Sequence, residues 1–271
     1  MTFLNALAAA FRAMTGIIVR NRRLLASITR VELAKRYAGS VLGMAWVVLQ
    51  PALLLSVYLF VYMVVFPNRD KNFSQFDFVL YVFCGLVPYL GFMEAFTTGG
   101  LSIKQNIHLV KNVMLPIELI PVRTVLVGMA SQFVSIGVVL VMAAGARVLS
   151  WHVVWLPVIV LLQVMWLIGL TWILASITVA LPDITYFVNL FIFLLMFLSP
   201  IGWRPGDLKV FTWILKVNPI FYLTEVYRGS ILHASRPSLT VVGVYVVMCV
   251  VTFAMGGAFF ERFKGVLTDY E

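Results

Sequence analysis

"SWHVVWLPVIVLLQVMWLIGLTWILASITVALP", Ser150 to Pro182, contains no Lys, Arg, Asp or Glu. An α-helix rises about 1.5 Å per residue, so roughly 20 mostly apolar residues cross the ~30 Å hydrocarbon core of a bilayer. A run this long must span a membrane or lie wholly buried. The composition around it favours the first: of 271 residues, 62% are hydrophobic and 11% charged, against about 25% charged in an ordinary soluble domain. The chain reads as an all-α integral membrane protein with no room for a sizeable soluble domain.

Outward from that run, charges, prolines and glycines delimit six apolar stretches: 41–66, 78–103, 122–146, 153–181, 184–201 and 239–260. They predict one transmembrane domain over residues 1–271 with six spans, preceded by an amphipathic segment over 1–40. The first long stretch begins after about 40 residues and far exceeds the roughly 7–15 of a signal-peptide core, so the amino-terminal segment is expected to be retained. Orientation follows from basic residues in short loops. Arg12, Arg20, Arg22, Arg23, Arg30, Lys35 and Arg36 precede the first span with the single acid Glu32, and Lys104, Lys111 and Arg123 stand against Glu118 in the second loop. Both regions are expected in the cytoplasm. Arg69 and Lys71, balanced by Asp70 and Asp77, mark an outer loop. Six spans then return the carboxy terminus to the cytoplasm. The net charge of +9 thus reports topology, and no nucleic-acid partner is expected.

Three segments outside the spans carry their own pattern. Arg20 to Arg36 places Leu24, Ile28 and Val31 on one face, with Arg23, Arg30 and Arg36 elsewhere and Glu32 four residues before Arg36. This predicts a basic amphipathic helix on the inner leaflet. "SIKQNIHLVKNVMLPIELIP", Ser102 to Pro121, sets Ile103, Ile107, Val110 and Met114 at roughly helical spacing before Pro116 and Pro121, a short amphipathic cytoplasmic helix. Residues 202–238 hold two apolar patches, Leu208 to Val217 and Ile220 to Leu232, each too short to span. Asn218-Pro219 separates them as cap and first-turn proline. The pair reads as a re-entrant helical hairpin in the outer leaflet, with a loop resting on headgroups as the alternative.

The motifs of catalysis are missing. No Gly-Lys dipeptide exists for a phosphate-binding loop, and H-E-x-x-H, G-x-S-x-G and D-x-D do not occur. His108, His152 and His233 are dispersed, and Cys84 and Cys249 fall inside apolar runs as packing residues. Glu94 is the main ionisable group at membrane depth. Lacking a second carboxylate, it is weak support for proton-coupled transport and reads as a structural hydrogen-bonding residue. Aromatic residues are more informative. Tyr58, Tyr62 and Phe66 recur at i, i+4, i+8 on the first span, and Tyr186, Phe193 and Phe197 share a face of the fifth with Phe187 and Phe191 beside it. Such stripes serve packing or lipid contact, or stack on sugar rings along a path with little charge to trap a polar polymer.

The order of these features resembles the permease subunits of type 2 ABC exporters, in particular those exporting O-antigen, teichoic acid and capsule, over nearly the whole chain. "VELAKRYAGSVLGMAWVVLQP" (Val31 to Pro51) resembles the family's R-E-L-x-x-R-Y-x-x-S-x-L-G-x-x-W-x-x-x-x-P opening, and "HLVKNVMLPIELIP" (His108 to Pro121) its L-I-x-K-x-x-F-P-x-E-x-x-P loop. "LPDI" (Leu181 to Ile184) resembles the R-D-[IL] turn, and "LKVNPIFYLTEVYRGSIL" (Leu215 to Leu232) the N-P-x-x-x-x-x-E-x-x-R segment. Val31 and Pro182 stand where Arg is common.

The resemblance implies a homodimer in the bacterial inner membrane, surrounded by membrane lipids and joined to two copies of a separate ATPase subunit. That partner, and not this chain, would bind ATP and Mg, and this chain would carry no cofactor. The amino-terminal helix becomes an interface helix. Asn106, Leu109, Val110, Lys111, Asn112 and Pro116 belong to a coupling helix docking on the ATPase. The first and fifth spans, with their aromatic stripes, line the channel, and the hairpin with Asn218, Pro219, Glu225 and Arg228 closes its outer end. Substrates of the family are polyprenyl- or otherwise lipid-linked polysaccharides, whose phosphates Arg20, Arg22, Arg23, Lys35 or Arg36 would meet. O-antigen-type glycan is the first expectation, teichoic acid or capsule the next. A drug or small-lipid exporter of the same fold and, more distantly, a membrane glycosyltransferase are the rivals.

Overall fold

The computed structural model describes residues 3–65, 74–106, 116–204, 212–233 and 236–269. Of the expected site residues, Phe66, Leu109, Val110, Lys111 and Asn112 lie outside that set. Helices α1 (Phe3–Arg20), α2 (Arg22–Arg36) and α3 (Trp46–Phe60) are followed by α4 (Gln75–Gly100), α5 (Ser102–Gln105), α6 (Leu119–Gly128) and α7 (Ala130–Gly145). Then come α8 (Leu156–Ala180), α9 (Ile184–Leu198), α10 (Thr212–Val217), α11 (Pro219–Ile231) and α12 (Leu239–Asp269). Among the described residues the one non-helical pairing is an antiparallel bridge between Leu149 and Leu232.

Among the described residues, five stretches are long and apolar enough to cross a membrane: Gly43–Val65, Gln75–Gly100, Leu119–Gly145, Trp151–Ala180 and Leu239–Gly265. Helix α9, expected as a span over 184–201, has 15 residues, or about 22 Å of rise against the ~30 Å of hydrocarbon. It ends where the sequence dictates. Ser199 precedes Pro200 and takes an extended backbone (φ −96°, ψ 145°), the conformation a following proline imposes. The last helix departs in the other direction. It was expected over 239–260 and continues to Asp269 as one helix, which carries Glu261, Arg262 and Lys264 beyond the expected end.

Local signals set the other boundaries. Ser74 caps α4 by accepting from the Asp77 backbone N–H, with the Asp77 carboxylate in the first turn. Between α2 and α3 the chain reverses through residues 37–43, where Gly39 (φ +83°) and Gly43 (φ +50°) occupy the left-handed region. Helix α4 forms the centre, packed against α6, α7, α8 and α11. The most extensive pairing is α8 with α12, where Gly169 faces Gly256. A Cβ added at Gly169 would strike the Thr252 carbonyl, and one at Gly256 the Gly169 carbonyl, so only glycine permits this backbone approach.

The amino-terminal helices differ from the expected single amphipathic helix. Helix α1 packs on α12, and α2 packs on α6. The buried residue of α2 is Leu25, with Ile28 partly covered, whereas Leu24 and Val31 stay exposed. The protein-facing stripe is therefore displaced from the expected Leu24–Ile28–Val31 face. Protein takes one side of α2 and leaves the expected apolar side free.

Candidate functional site

The hairpin end of the bundle is organised around Arg228, whose side chain is fully buried. Nε donates to the Tyr81 carbonyl at 3.1 Å, one terminal nitrogen to Glu225 Oε1 at 3.0 Å, and the other to the carbonyls of Pro200 at 2.5 Å and Ile201 at 3.0 Å. The guanidinium carbon sits 3.7 Å from the centroid of the Tyr81 ring. The early end of α9 explains the arrangement. The carbonyls of Pro200 and Ile201 follow a terminated helix in a buried setting and require donors, which a planar fork supplies together. Asn218 adds a second tether. Its Oδ1 caps α11 through the Ile220 N–H at 2.9 Å, while Nδ2 donates to Ser199 Oγ at 2.9 Å and the Leu198 carbonyl at 3.3 Å. Pro219 occupies the first turn of α11, where its missing N–H costs nothing. Asn218, Pro219, Glu225 and Arg228 thus converge on one junction of α4, α9 and α11.

Beside this junction, Tyr58, Tyr62 and Phe197 border a cavity of about 230 Å³ with Leu86, Gly202 and Trp203. The Tyr62 ring lies 6.0 Å from Phe78, and Phe78 lies 6.5 Å from Tyr81 beneath Arg228. A chain of rings therefore runs from the cavity to the clamp. The remaining aromatics of α9, Tyr186, Phe187, Phe191 and Phe193, are each more than half exposed. Phe197, although it borders the cavity, is also largely exposed. Neither α3 nor α9 carries a charged side chain.

At the opposite end the charges are paired between helices. Arg36 forms an ion pair with Glu94 beside a cavity of about 320 Å³ whose lining includes Gln50, Thr97, Ser131 and Ser135. The expected Glu32–Arg36 pairing within α2 gives way to tertiary partners, since Glu32 lies 3.6 Å from the buried Arg123. Arg123 also donates to Asn106 Oδ1 at 3.0 Å. Glu118 is buried, pairs with Lys264 of α12, and offers its carbonyl to Trp172 Nε1 at 3.0 Å. Pro116 lies just before this anchor. Asn106 and Glu118 are thus both held to the bundle, on either side of 107–115. Arg20, Arg22, Arg23 and Lys35 are exposed on α1 and α2, and Arg36 reaches into the bundle.

One polar group escaped the sequence reading. Gln132 and Gln163 exchange amide hydrogen bonds at 2.8 and 3.1 Å, Gln132 donates to the Tyr227 hydroxyl at 3.0 Å, Tyr227 donates to Gln163, and Gln163 donates to the Pro88 carbonyl at 3.0 Å. All three side chains are buried. This network joins α4, α7, α8 and α11. Its signal was a lone glutamine on each of two otherwise apolar helices, where an unpaired amide would be expensive.

A multi-pass helical bundle whose polar groups clamp its two ends, leaving an uncharged aromatic face open, has the architecture of a membrane permease. Residues 23–232 match the ABC-2 type transporter family. The chain belongs to that family. It is 32% identical over 212 residues to the O-antigen export system permease protein RfbA of Myxococcus xanthus, covering 77% of this chain and 80% of that protein. Two proteins of the same description from Klebsiella pneumoniae are 28% and 27% identical over 237 residues, each match covering 81% of this chain and 89% of theirs.

Proposed function

We propose that this chain is the permease subunit of an ATP-driven exporter that carries a lipid-linked, O-antigen-type polysaccharide across the bacterial inner membrane. It works as a homodimer with two copies of a separate ATPase, which holds ATP and Mg, and both its termini are cytoplasmic. The relatives' role in O-antigen export supports the substrate class. The structural observation that carries the reading is the open face of α9, aromatic and without charge, beside the exposed, largely aliphatic and equally uncharged face of α3. A second copy facing it would enclose a path on which sugar rings slide over aromatic faces without being trapped by ion pairs.

The other parts take matching roles. Helix α9, extended by residues 199–203 under the Arg228 clamp, serves as a sixth, short span, and α10 with α11 forms the hairpin that closes the outer end. Helix α2 is the interface helix, with Arg20, Arg22, Arg23 and Lys35 free to meet a lipid phosphate. Arg36 would first have to leave Glu94. The segment from Asn106 to Pro116 is the coupling element, and its flanking contacts at Arg123 and Glu118 pass ATPase movement into α6 and α12.

Deleting the gene should abolish surface polymer, and Tyr58→Ala with Tyr62→Ala should lower polymer at unchanged protein abundance. In the purified complex, replacing Asn106 to Pro116 by a Gly/Ser segment should uncouple ATP turnover from export. Normal surface polymer in the tyrosine double variant would return the stripe to packing. Unaltered turnover and export in the loop variant would remove the coupling role.

A further inference from the structure

A cavity of about 550 Å³ lies away from the aromatic face, between α8, α11 and α12. That volume is within the ~300–1,000 Å³ of small-molecule sites. Its two walls are helical stripes: Trp155, Val158 and Leu162 lead into and along α8, and Leu239, Val242 and Val246 line α12. Each stripe spans seven residue-to-residue steps, Trp155 to Leu162 and Leu239 to Val246, so the crevice extends about 10 Å along the bundle. The polar groups inside it are already satisfied. The Tyr245 hydroxyl donates to the Ile159 carbonyl at 3.0 Å, and Ser230 Oγ to the Tyr227 carbonyl at 2.8 Å. The floor is fixed as well, because a Cβ at Gly229 would collide with the Pro237 ring. What remains is a largely apolar slot.

Its mouth has the opposite character. Arg236 lines it, is exposed, and has no ion-pair partner among the described residues. Among the described residues no Asp or Glu contributes to the lining. Trp151 and Trp155, 83% and 62% exposed, flank the start of α8 as side chains of the membrane–water interface do. A cation at headgroup depth above a slot of acyl-chain dimensions has one natural complement.

We propose that the crevice between α8, α11 and α12 binds an anionic glycerophospholipid, one acyl chain lying between the two helical stripes and the phosphate against Arg236. The site is separate from the polymer path and does not depend on which glycan is exported. An unpaired basic residue near the surface favours an anionic over a zwitterionic headgroup by about fivefold.

The test uses the full chain in phosphatidylcholine vesicles containing about one tenth acyl-brominated lipid, either phosphatidylglycerol or phosphatidylcholine. Quenching of Trp155 is read as the difference between unaltered protein and Trp155→Phe. Brominated phosphatidylglycerol should quench about fivefold more effectively than brominated phosphatidylcholine. Arg236→Gln should equalise the two lipids, and Val246→Phe, which narrows the slot, should weaken quenching by both. Equal quenching in the unaltered protein would reduce the crevice to unselective lipid contact and overturn the proposal. Absence of quenching by either lipid would show the crevice covered by protein, a second copy or another subunit, and would overturn it equally.

Discussion

Helices α3 and α4 are both strongly apolar, yet in the most apolar window of their spans 11% of residues are buried for α3 and 72% for α4. The difference lies in small residues and polar anchors. Helix α4 contains Gly85, Gly91, Gly99 and Gly100, which face Arg228, Gln132, Thr171 and Leu174 at distances no Cβ would allow. Helix α3 has no glycine. Apolarity selects a membrane as the solvent, and which spans are packed within the chain is set by how closely another helix can approach.

The contrast can be broken or sharpened by substitution, read as unfolding in detergent. Arg228→Ala should have the largest effect, a loss of about 3–5 kcal/mol, because it removes the buried partner of Glu225 and strands three backbone carbonyls. A near-neutral result would mean that α4 is not held by the clamp. Gly91→Val places a Cβ in the Gln132 amide and should cost about 1–3 kcal/mol by overpacking. Gln163→Leu should cost a similar ~1–3 kcal/mol by leaving the Pro88 carbonyl and the Tyr227 hydroxyl short of partners, and Gln132→Leu added to it should cost less than the two singles summed. At the exposed extreme, Leu53→Ala and Val57→Ala on α3 should each stay within about 0.5 kcal/mol. A loss as large as that of Gln163→Leu would show that α3 is packed like α4.

Legibility in the sequence divides along the same line. Long apolar runs were readable because crossing hydrocarbon is a requirement on composition, and the Asn218-Pro219 hinge because capping is local. The length of α9 was misjudged by counting apolarity through Ser199-Pro200, where the backbone rule for a residue before proline prevails. Tertiary pairing was the least legible part. Glu32 and Arg36 have the spacing of a helical pair, and each is drawn instead to a residue distant in sequence, Arg123 and Glu94. The burial of Leu25 rather than Leu24 has the same origin, since a periodic stripe does not say which neighbour will arrive.

Helix α12 begins at Leu239, two residues beyond Pro237 under the hairpin, and Lys264 near its far end pairs with Glu118. Twenty-five residues separate Leu239 from Lys264, about 38 Å of unbroken helix. The two ends of the molecule are therefore fixed to a single strut. Under the coupling role proposed above, a push delivered at Glu118 would be carried toward the hairpin along this one helix.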